Sequence, residues 1–379
     1  MRDYLNECSP VHFVFPIDGD CVNERDGEVC GDGVTITAEI AAPAGCTVTV
    51  NGITAEERGG GRYFAQVPIC GDRATLTAVC GAESAEVEIY RLPDVVGKYR
   101  LSVDDNILFL ADITAHADEY RSIFDNPYLA IYREAHEKYG AKVHLNLFYA
   151  YTGAGKTYFS AHPDDFDLSM VTDKFRAEWA ANADWLKLAF HSRAEFPADP
   201  YRHSTAEEIT ADFLAVKREV ERFAGPASFA DTATTVHYGS GNFETVTALR
   251  TQGLRALAGY FTLRADGTPS VSYYADPDLV KRVGERDFWY DRHSDMLFAR
   301  IDLVLNIAPH ADNMAKLPQI AAHPGRGGFV SIMIHEQYFY PDYRHHKPDF
   351  AVRVLEACRF LHEAGYRGMH LGELFPALN

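Results

Sequence analysis

The chain has 379 residues, which at roughly 150 residues per domain suits two or three domains and a sizeable core. Its 47% apolar and 24% charged residues are those of an ordinary globular protein. A formal net charge of -18, from 54 Asp and Glu against 36 Lys and Arg, makes nucleic-acid backbones and anionic membranes poor partners and favours a neutral or cationic ligand.

The opening MRDYLNECSPVHFVFPIDGD lacks the basic start and apolar run of a signal peptide, and no later segment offers the ~18 uncharged apolar residues of a membrane span. A cytoplasmic protein is expected, with export only if a leader preceded this sequence. Cys8, Cys21, Cys30, Cys46, Cys70 and Cys80 fall in the first quarter and only Cys358 beyond it. None forms a CxxC pair, so a zinc ribbon or thioredoxin-like site is not expected; buried thiols in a reduced compartment, or disulfides in an exported module, are the two readings. From about residue 33 to 92 the pattern has a period near two: VTITAEI, CTVTVNGIT, RYFAQVPI, ATLTAVC and AEVEIYRL, separated by AAPAG, Asn51-Gly52, ERGGG and CGD. This predicts an antiparallel meander folded as a β-sandwich of immunoglobulin-like size over residues 1–95, bounded by Pro93, which cannot pair within a central strand.

After residue 97 strands and helices alternate. KYRLSVDD reads as a strand, PYLAIYREAHEKYG as a helix ending at Gly140, and AKVHLNLFYA as a strand. KFRAEWAANA is a helix, WLKLAF a strand, and a long helix follows a Ser204-to-Glu207 capping box. TATTVHY, LRALAGYF, GGFVSIMI and YRGMHL are further strands, with helices at NFETVTALRTQG and PDFAVRVLEACRFLHEAG. Repeated units of this kind over residues 96–379 predict an α/β fold with a parallel sheet, either a (β/α) barrel or a doubly wound sheet. Chemistry then belongs at the C-terminal strand ends.

Four strands finish there in ionisable residues: RLSVDD in Asp104-Asp105, WLKLAF in His191, TATTVH in His237 and FVSIMI in His335. Adjacent strand residues point to opposite faces, so two neighbouring aspartates reach one pocket only if the chain turns between them. Two carboxylates this close also favour a neutralising cation. Taken singly, Asp104-Asp105-Asn106 also reads as a helix cap or turn, and His191 as a hydrogen-bonded core histidine. Together with His203, just before a helix, they read as one carboxylate and two imidazoles, a donor set that leaves positions open and suits catalytic Zn²⁺, or Fe²⁺ or Co²⁺.

These residues resemble the polysaccharide deacetylase superfamily, of the carbohydrate esterase family 4 type. Its T-F-D-D-G motif is similar to Ser102-Val103-Asp104-Asp105-Asn106, and its H-S-x-x-H-P motif is similar to His191-Ser192-Arg193-Ala194 as far as that run extends. Its R-x-P-Y-G segment resembles His237-Tyr238-Gly239, and its last strand, helix, G-Y and L-x-E-L resemble IMIHE and FLHEAGYRGMHLGELF, in the same order over residues 98 to 376. The resemblance implies a distorted (β/α) barrel and metal-dependent hydrolysis of an N-acetyl or related acyl group. It implies Asp105 as metal carboxylate, Asp104 as general base, His335 as general acid, and Tyr238 as a backbone N–H donor to the oxyanion. Hydrolysis of an amide independently asks for an activated water, a Lewis acid and a proton for the leaving amine.

The chain departs from that pattern in places. Glu195 stands four after His191, where the family has its second histidine; His203 is the expected ligand, with Glu195 the alternative. Thr234, Thr235 and Val236 occupy the neighbourhood of the family's arginine, Asn106 replaces a glycine, and the family's Asp-Trp motif is not recognisable. ERDFWYDRHSDM and HEQYFYPDYRHH supply aromatics suited to stacking on sugar rings, or simply to packing long loops. His237, Tyr238, Trp289 and Tyr338 are therefore the expected substrate contacts.

Two look-alikes are set aside. TGAGKT (152–157) lacks the first glycine of a phosphate-binding loop, which would fall at Ala150, so a tyrosine-rich substrate loop is expected there instead; Phe339 stands where H-E-x-x-H needs its second histidine. The expected function is metal-dependent removal of an acyl group from an amino sugar or other acylated amine. A non-catalytic carbohydrate-binding relative and a small-molecule C–N amidohydrolase are the alternatives.

Overall fold

A computed structural model describes residues 4–5, 7–153 and 165–377. The tyrosine-rich loop expected around TGAGKT lies mostly within 154–164, outside the described residues.

The alternating segments before residue 92 form two five-stranded sheets. In one, Gly33–Ala41 pairs with His12–Phe15, Gly27–Cys30 and Arg62–Ile69, and Arg62–Ile69 pairs in turn with Glu56–Glu57. In the other, Glu83–Arg91 lies between Cys21–Val22 and Arg73–Cys80, followed by Val48–Val50 and Ile53–Thr54. Asn51 and Gly52 turn this last hairpin with φ of 48° and 80°, the two left-handed residues its twist requires. Ile36, Ile40 and Val67 from one sheet share a buried core with Val48, Leu76 and Ile89 from the other. The meander is not wholly antiparallel, because the short Cys21–Val22 strand, threaded in from the N-terminus, runs parallel to Glu83–Arg91.

The rest of the chain alternates as its pattern predicts. Leaving aside two short two-stranded hairpins, its strands are β1 (Lys98–Asn106), β2 (Val143–Phe148), β3 (Leu186–Ser192), β4 (Ala233–Thr234), β5 (Ala256–Gly259), β6 (Phe288–Asp291), β7 (Met296–Arg300), β8 (Leu303–Val304), β9 (Phe329–His335) and β10 (Arg367–Gly368). One sheet runs β3-β2-β1-β9-β8 with β10 also on β1, all parallel; the other runs β4-β5-β7-β6. In two of the helices caps and amphipathic spacing coincide. Pro127–Tyr139 begins at Asn126, whose side chain accepts the Leu129 N–H, and ends at Gly140 with φ of 65°. Ala206–Phe223 buries Ile209, Phe213, Val216, Val220 and Phe223 along one stripe. No helix among the described residues is long and apolar enough to cross a membrane.

The distorted (β/α) barrel that the resemblance implies is not a closed one: its strands lie in two separate sheets. Among the described residues no ladder joins β3 to β4, an isolated bridge from Leu188 reaching only Phe229 ahead of β4, and the chain passes from β7 straight into β8 on the other side. The physical reason lies in β6, which is antiparallel to β7 and turns its free edge to the N-terminal unit through an Asp20–Trp289 bridge. An edge strand used in this way cannot also close the ring.

Trp289 accordingly is not a substrate contact. It is 1% exposed, donates its Nε1–H to the Asp18 carbonyl at 2.8 Å, and stacks on Phe298 at 5.5 Å with Tyr4 edge-on at 5.3 Å. Beside it the buried Arg286 guanidinium reaches Asp26 at 2.5 Å and Asp20 at 3.4 Å. Removing a buried indole of this kind leaves a large cavity, so Trp289→Ala is expected to cost about 3–5 kcal/mol in a urea titration and to leave metal binding unchanged.

Candidate metal centre

The C-terminal ends of β1, β3, β9 and the segment after β4 converge on one cavity of about 310 Å³, lined among others by Asp104, Asp105, His191, Glu195, His237, Tyr238, Tyr260, His335, Gln337 and Tyr338. The two aspartates face it together because Asp105 has a φ of 66° and the β1–β2 register slips between Val103 and Asn106. That left-handed residue is the turn which strand alternation demands, and a non-glycine side chain holds it only with support from its surroundings. Asn106, in the place of the resembled family's glycine, supplies some of it: buried, it donates to the carbonyls of Val103 and Asn146 and accepts the Tyr128 hydroxyl.

Asp105, His191 and His237, all buried, bring one donor atom each to a common centre. Asp105 Oδ1 lies 3.1 Å from His191 Nε2 and 3.4 Å from His237 Nδ1, and the two nitrogens are 3.1 Å apart. Each ring has its other nitrogen against a main-chain carbonyl: His191 Nδ1 on Thr235 at 2.5 Å, His237 Nε2 on Glu195 at 3.1 Å. A carbonyl only accepts, so those outer nitrogens carry the hydrogens and the inner ones present lone pairs. Three acceptors at these spacings fit a divalent cation, since ligands about 2.0–2.1 Å from a tetrahedral centre stand roughly 3.3 Å from one another. Phe148 packs on both imidazoles, at 5.3 and 4.9 Å, and keeps the rear of the cluster apolar.

Burial opposes charge on Asp105, but the His191 and His237 rings outweigh it and hold its carboxyl well below the usual range. Burial alone would lower His191; the Asp104 and Asp105 carboxylates raise it instead and favour its charged form, so a cation binding at Nε2 would have to displace a proton there. His237 is lowered by burial, as a neutral donor should be. Burial and the Asp105 charge push Glu195 up to about 9, so at neutral pH it is an uncharged acid.

The residue that the structure brings beside Asp105 and His191 is therefore His237, expected as a substrate contact, and neither His203 nor Glu195 joins that cluster. Glu195 stands behind His237, its Oε2 3.5 Å from the outer Nε2. His203 is exposed, in the turn before Ala206–Phe223. The turn is pinned by buried Tyr201, whose hydroxyl accepts the Arg193 N–H and donates to Asp212 and whose own N–H reaches Ser240, and Asn242 Nδ2 takes the carbonyls of Arg202 and Ser204. The helix cap is also shifted by one: Thr205 and Glu208 form the reciprocal box, while the Ser204 hydroxyl is spent on the Pro200 carbonyl. Thr205→Ala is expected to cost about 1 kcal/mol in chemical denaturation.

Asp104 and His335 line the cavity beside the cluster. Asn146 Nδ2, on β2, donates to Asp104 Oδ1 at 2.6 Å. Asn306 Oδ1 accepts both the His335 main-chain N–H, at 3.2 Å, and its Nδ1, at 2.9 Å. The main-chain donor fixes which way the amide points, so Nδ1 carries hydrogen and Nε2 is left to exchange a proton. Tyr238, with φ of 56°, and Gly239 turn the chain over the rim; a side chain on Gly239 would meet Val271 at 2.6 Å. Asn146, Asn306 and Gln337 were not singled out from sequence. Their signal was a polar residue interrupting or ending an apolar strand, in VHLNLF, LVLN and IMIHEQ.

No protein-family model and no curated protein matches the chain. It is similar to solved structures of carbohydrate esterase family 4. One is the family 4 domain of a multidomain xylanase from the hindgut metagenome of Trinervitermes trinervoides, with 11% identity over 74% of this chain and 90% of that one and a TM-score of 0.38. Another is a family 4 pseudoenzyme from Bacillus anthracis, with 12% identity over 77% and 74% and a TM-score of 0.34. It is also similar to a 4-alpha-glucanotransferase from Thermococcus litoralis, with 11% identity over 74% and 40% and a TM-score of 0.42. At these values the functional reading rests on the residues of the site.

Proposed function

We propose that this chain is a metal-dependent hydrolase that removes an N-acetyl or similar acyl group from an amino-sugar substrate, with Zn²⁺ the best match and Co²⁺ or Fe²⁺ able to replace it. The observation that carries the reading is the set of three inward-facing acceptors, Asp105, His191 and His237, with a second carboxylate and a third imidazole on the same cavity wall. Residues 96–379 are read as the catalytic unit, and residues 1–95 as an accessory sandwich.

A divalent ion held by these three residues would supply Lewis acidity and lower the pKa of a bound water to about 7. Asp104, with Oδ1 tied to Asn146, keeps Oδ2 for accepting the proton of the attacking water. His335, held at Nδ1 by Asn306, offers Nε2 to the leaving amine. The main-chain N–H of Tyr238 is the donor for the developing oxyanion, and Tyr338 and Tyr260 form walls against which a sugar ring can stack.

The modest cavity, about 310 Å³, favours a second reading in which the substrate is a small amide rather than a polymer. The test is acetate release by protein stripped with chelator and reloaded with Zn²⁺ or Co²⁺, assayed on an N-acetylated monosaccharide and on its oligomers. Release from either supports deacylation of an amino sugar, and release from the monosaccharide alone shows that the substrate is a small amide rather than a polymer. A protein that takes up no divalent ion and releases no acetate from either would sink both.

A further inference from the structure

β9 ends at His335 and passes into a short 3-10 turn, Glu336–Phe339, whose first two residues have so far been given no work. Glu336 is fully buried and takes no part in the donor cluster. Its Oε2 accepts the N–H groups of Ile107 and Leu108, at 2.6 and 2.9 Å, and its Oε1 accepts that of Phe109 at 2.6 Å and the Tyr340 hydroxyl at 3.0 Å. Those N–H groups open the helix Leu108–Ala115, whose own N-cap residue, Ile107, has no side chain able to serve them. Gln337, 5% exposed, donates Nε2–H to Asp105 Oδ2 at 2.8 Å. Its Oε1 is buried with no partner among the described residues, a cost that packing alone would not select, since an apolar side chain of that size would avoid it.

The chain around Asp105 is thus held at three points by the end of β9 and the turn that follows it. Asp104 is in register with His335 in the β1–β9 ladder, residues 107 to 109 are held by Glu336, and the Asp105 carboxylate is held by Gln337. Between them sits the φ of 66° that sends both aspartates into the cavity. With Oδ2 engaged, Asp105 offers the cluster Oδ1 alone.

We infer that Gln337 is a positioning residue for the metal carboxylate: with Glu336 fixing the backbone, it restricts Asp105 to one donor oxygen and so keeps coordination positions open for water and substrate. This rests on the metal-centre reading above. Freed of the amide, Asp105 would rotate, losing its fixed orientation and becoming able to approach a cation through both oxygens.

The test is Co²⁺ binding to the full chain, measured by competition with a chelator and by the visible Co²⁺ spectrum. Gln337→Met, which keeps the length but not the N–H, is expected to weaken Co²⁺ binding about 10–100-fold, the usual consequence of removing a hydrogen-bond partner from a metal ligand. The thermal midpoint of the metal-free protein should stay in place, and the Co²⁺ absorption should weaken as the coordination number rises. Gln337→Ala checks the same point without the bulk of methionine. Affinities within twofold of wild type and unchanged spectra in both variants would overturn the inference while leaving the metal centre standing. A wild-type protein that takes up no Co²⁺ overturns the metal-centre reading, and this inference with it.

Discussion

His237→Ala is expected to abolish tight metal binding and turnover together, and His203→Ala to leave both at the wild-type level. His237 is one of the three clustered acceptors found among the described residues, and its Nδ1 stands 3.1 and 3.4 Å from the other two. Losing a direct ligand should cost more than the roughly 100-fold upper range for losing a ligand's hydrogen-bond partner. The residual Asp105 and His191 pair is a poor site for Zn²⁺, which in catalytic centres takes three protein ligands. His203, exposed at the helix approach, contributes nothing to the cluster. Zinc content after dialysis, with circular dichroism to confirm folding, separates the two variants. Equal zinc retention by His237→Ala and wild type would remove His237 from the ligand set.

The second large effect concerns Asp104. Asp104→Asn is expected to lower kcat by about 10²–10⁴-fold while leaving metal content unchanged, because a positioned general base typically contributes that much. The two halves of this expectation come from separate contacts. Asp104 is outside the donor trio, so the metal should stay; its Oδ1 is tied to Asn146, so the substituted amide should keep the side chain in place with no basic oxygen to offer. Full activity in Asp104→Asn would sink the assigned chemistry, and metal loss would show that Asp104 is a ligand.

Much of the fold could be read from the pattern of residues. Strands with buried faces end in polar side chains, and strand order carries those ends to one side, so Asp104, Asp105, His191, His237 and His335 could be assembled from one rule about α/β folds. Which histidine completes the donor set was not legible. The choice depends on where the segment from residue 193 to 204 travels, and that path is set by Tyr201 hydrogen-bonding to Arg193, Asp212 and Ser240, contacts up to 39 residues apart in sequence. Trp289 was misplaced for a similar reason: an aromatic hairpin looks the same whether it faces a ligand or a neighbouring sheet, and only the Asp20 bridge decides. That the strands stop at two open sheets was not legible for the same reason, since the edge role of β6 is set by its bridge to Asp20 and not by its own pattern.

The two imidazoles of the centre are oriented by main-chain carbonyls, those of Thr235 and Glu195, rather than by side chains. A point mutation at either position changes the side chain and leaves the oriented oxygen where it was. The ring tautomers are therefore buffered against substitution at the very residues that set them. They are exposed instead to insertions and deletions, since a change of one residue in the segments after β3 or β4 would move the carbonyl itself. Variation in this protein should accordingly be tolerated as exchanges of residue type at positions 195 and 235, and penalised as changes of loop length.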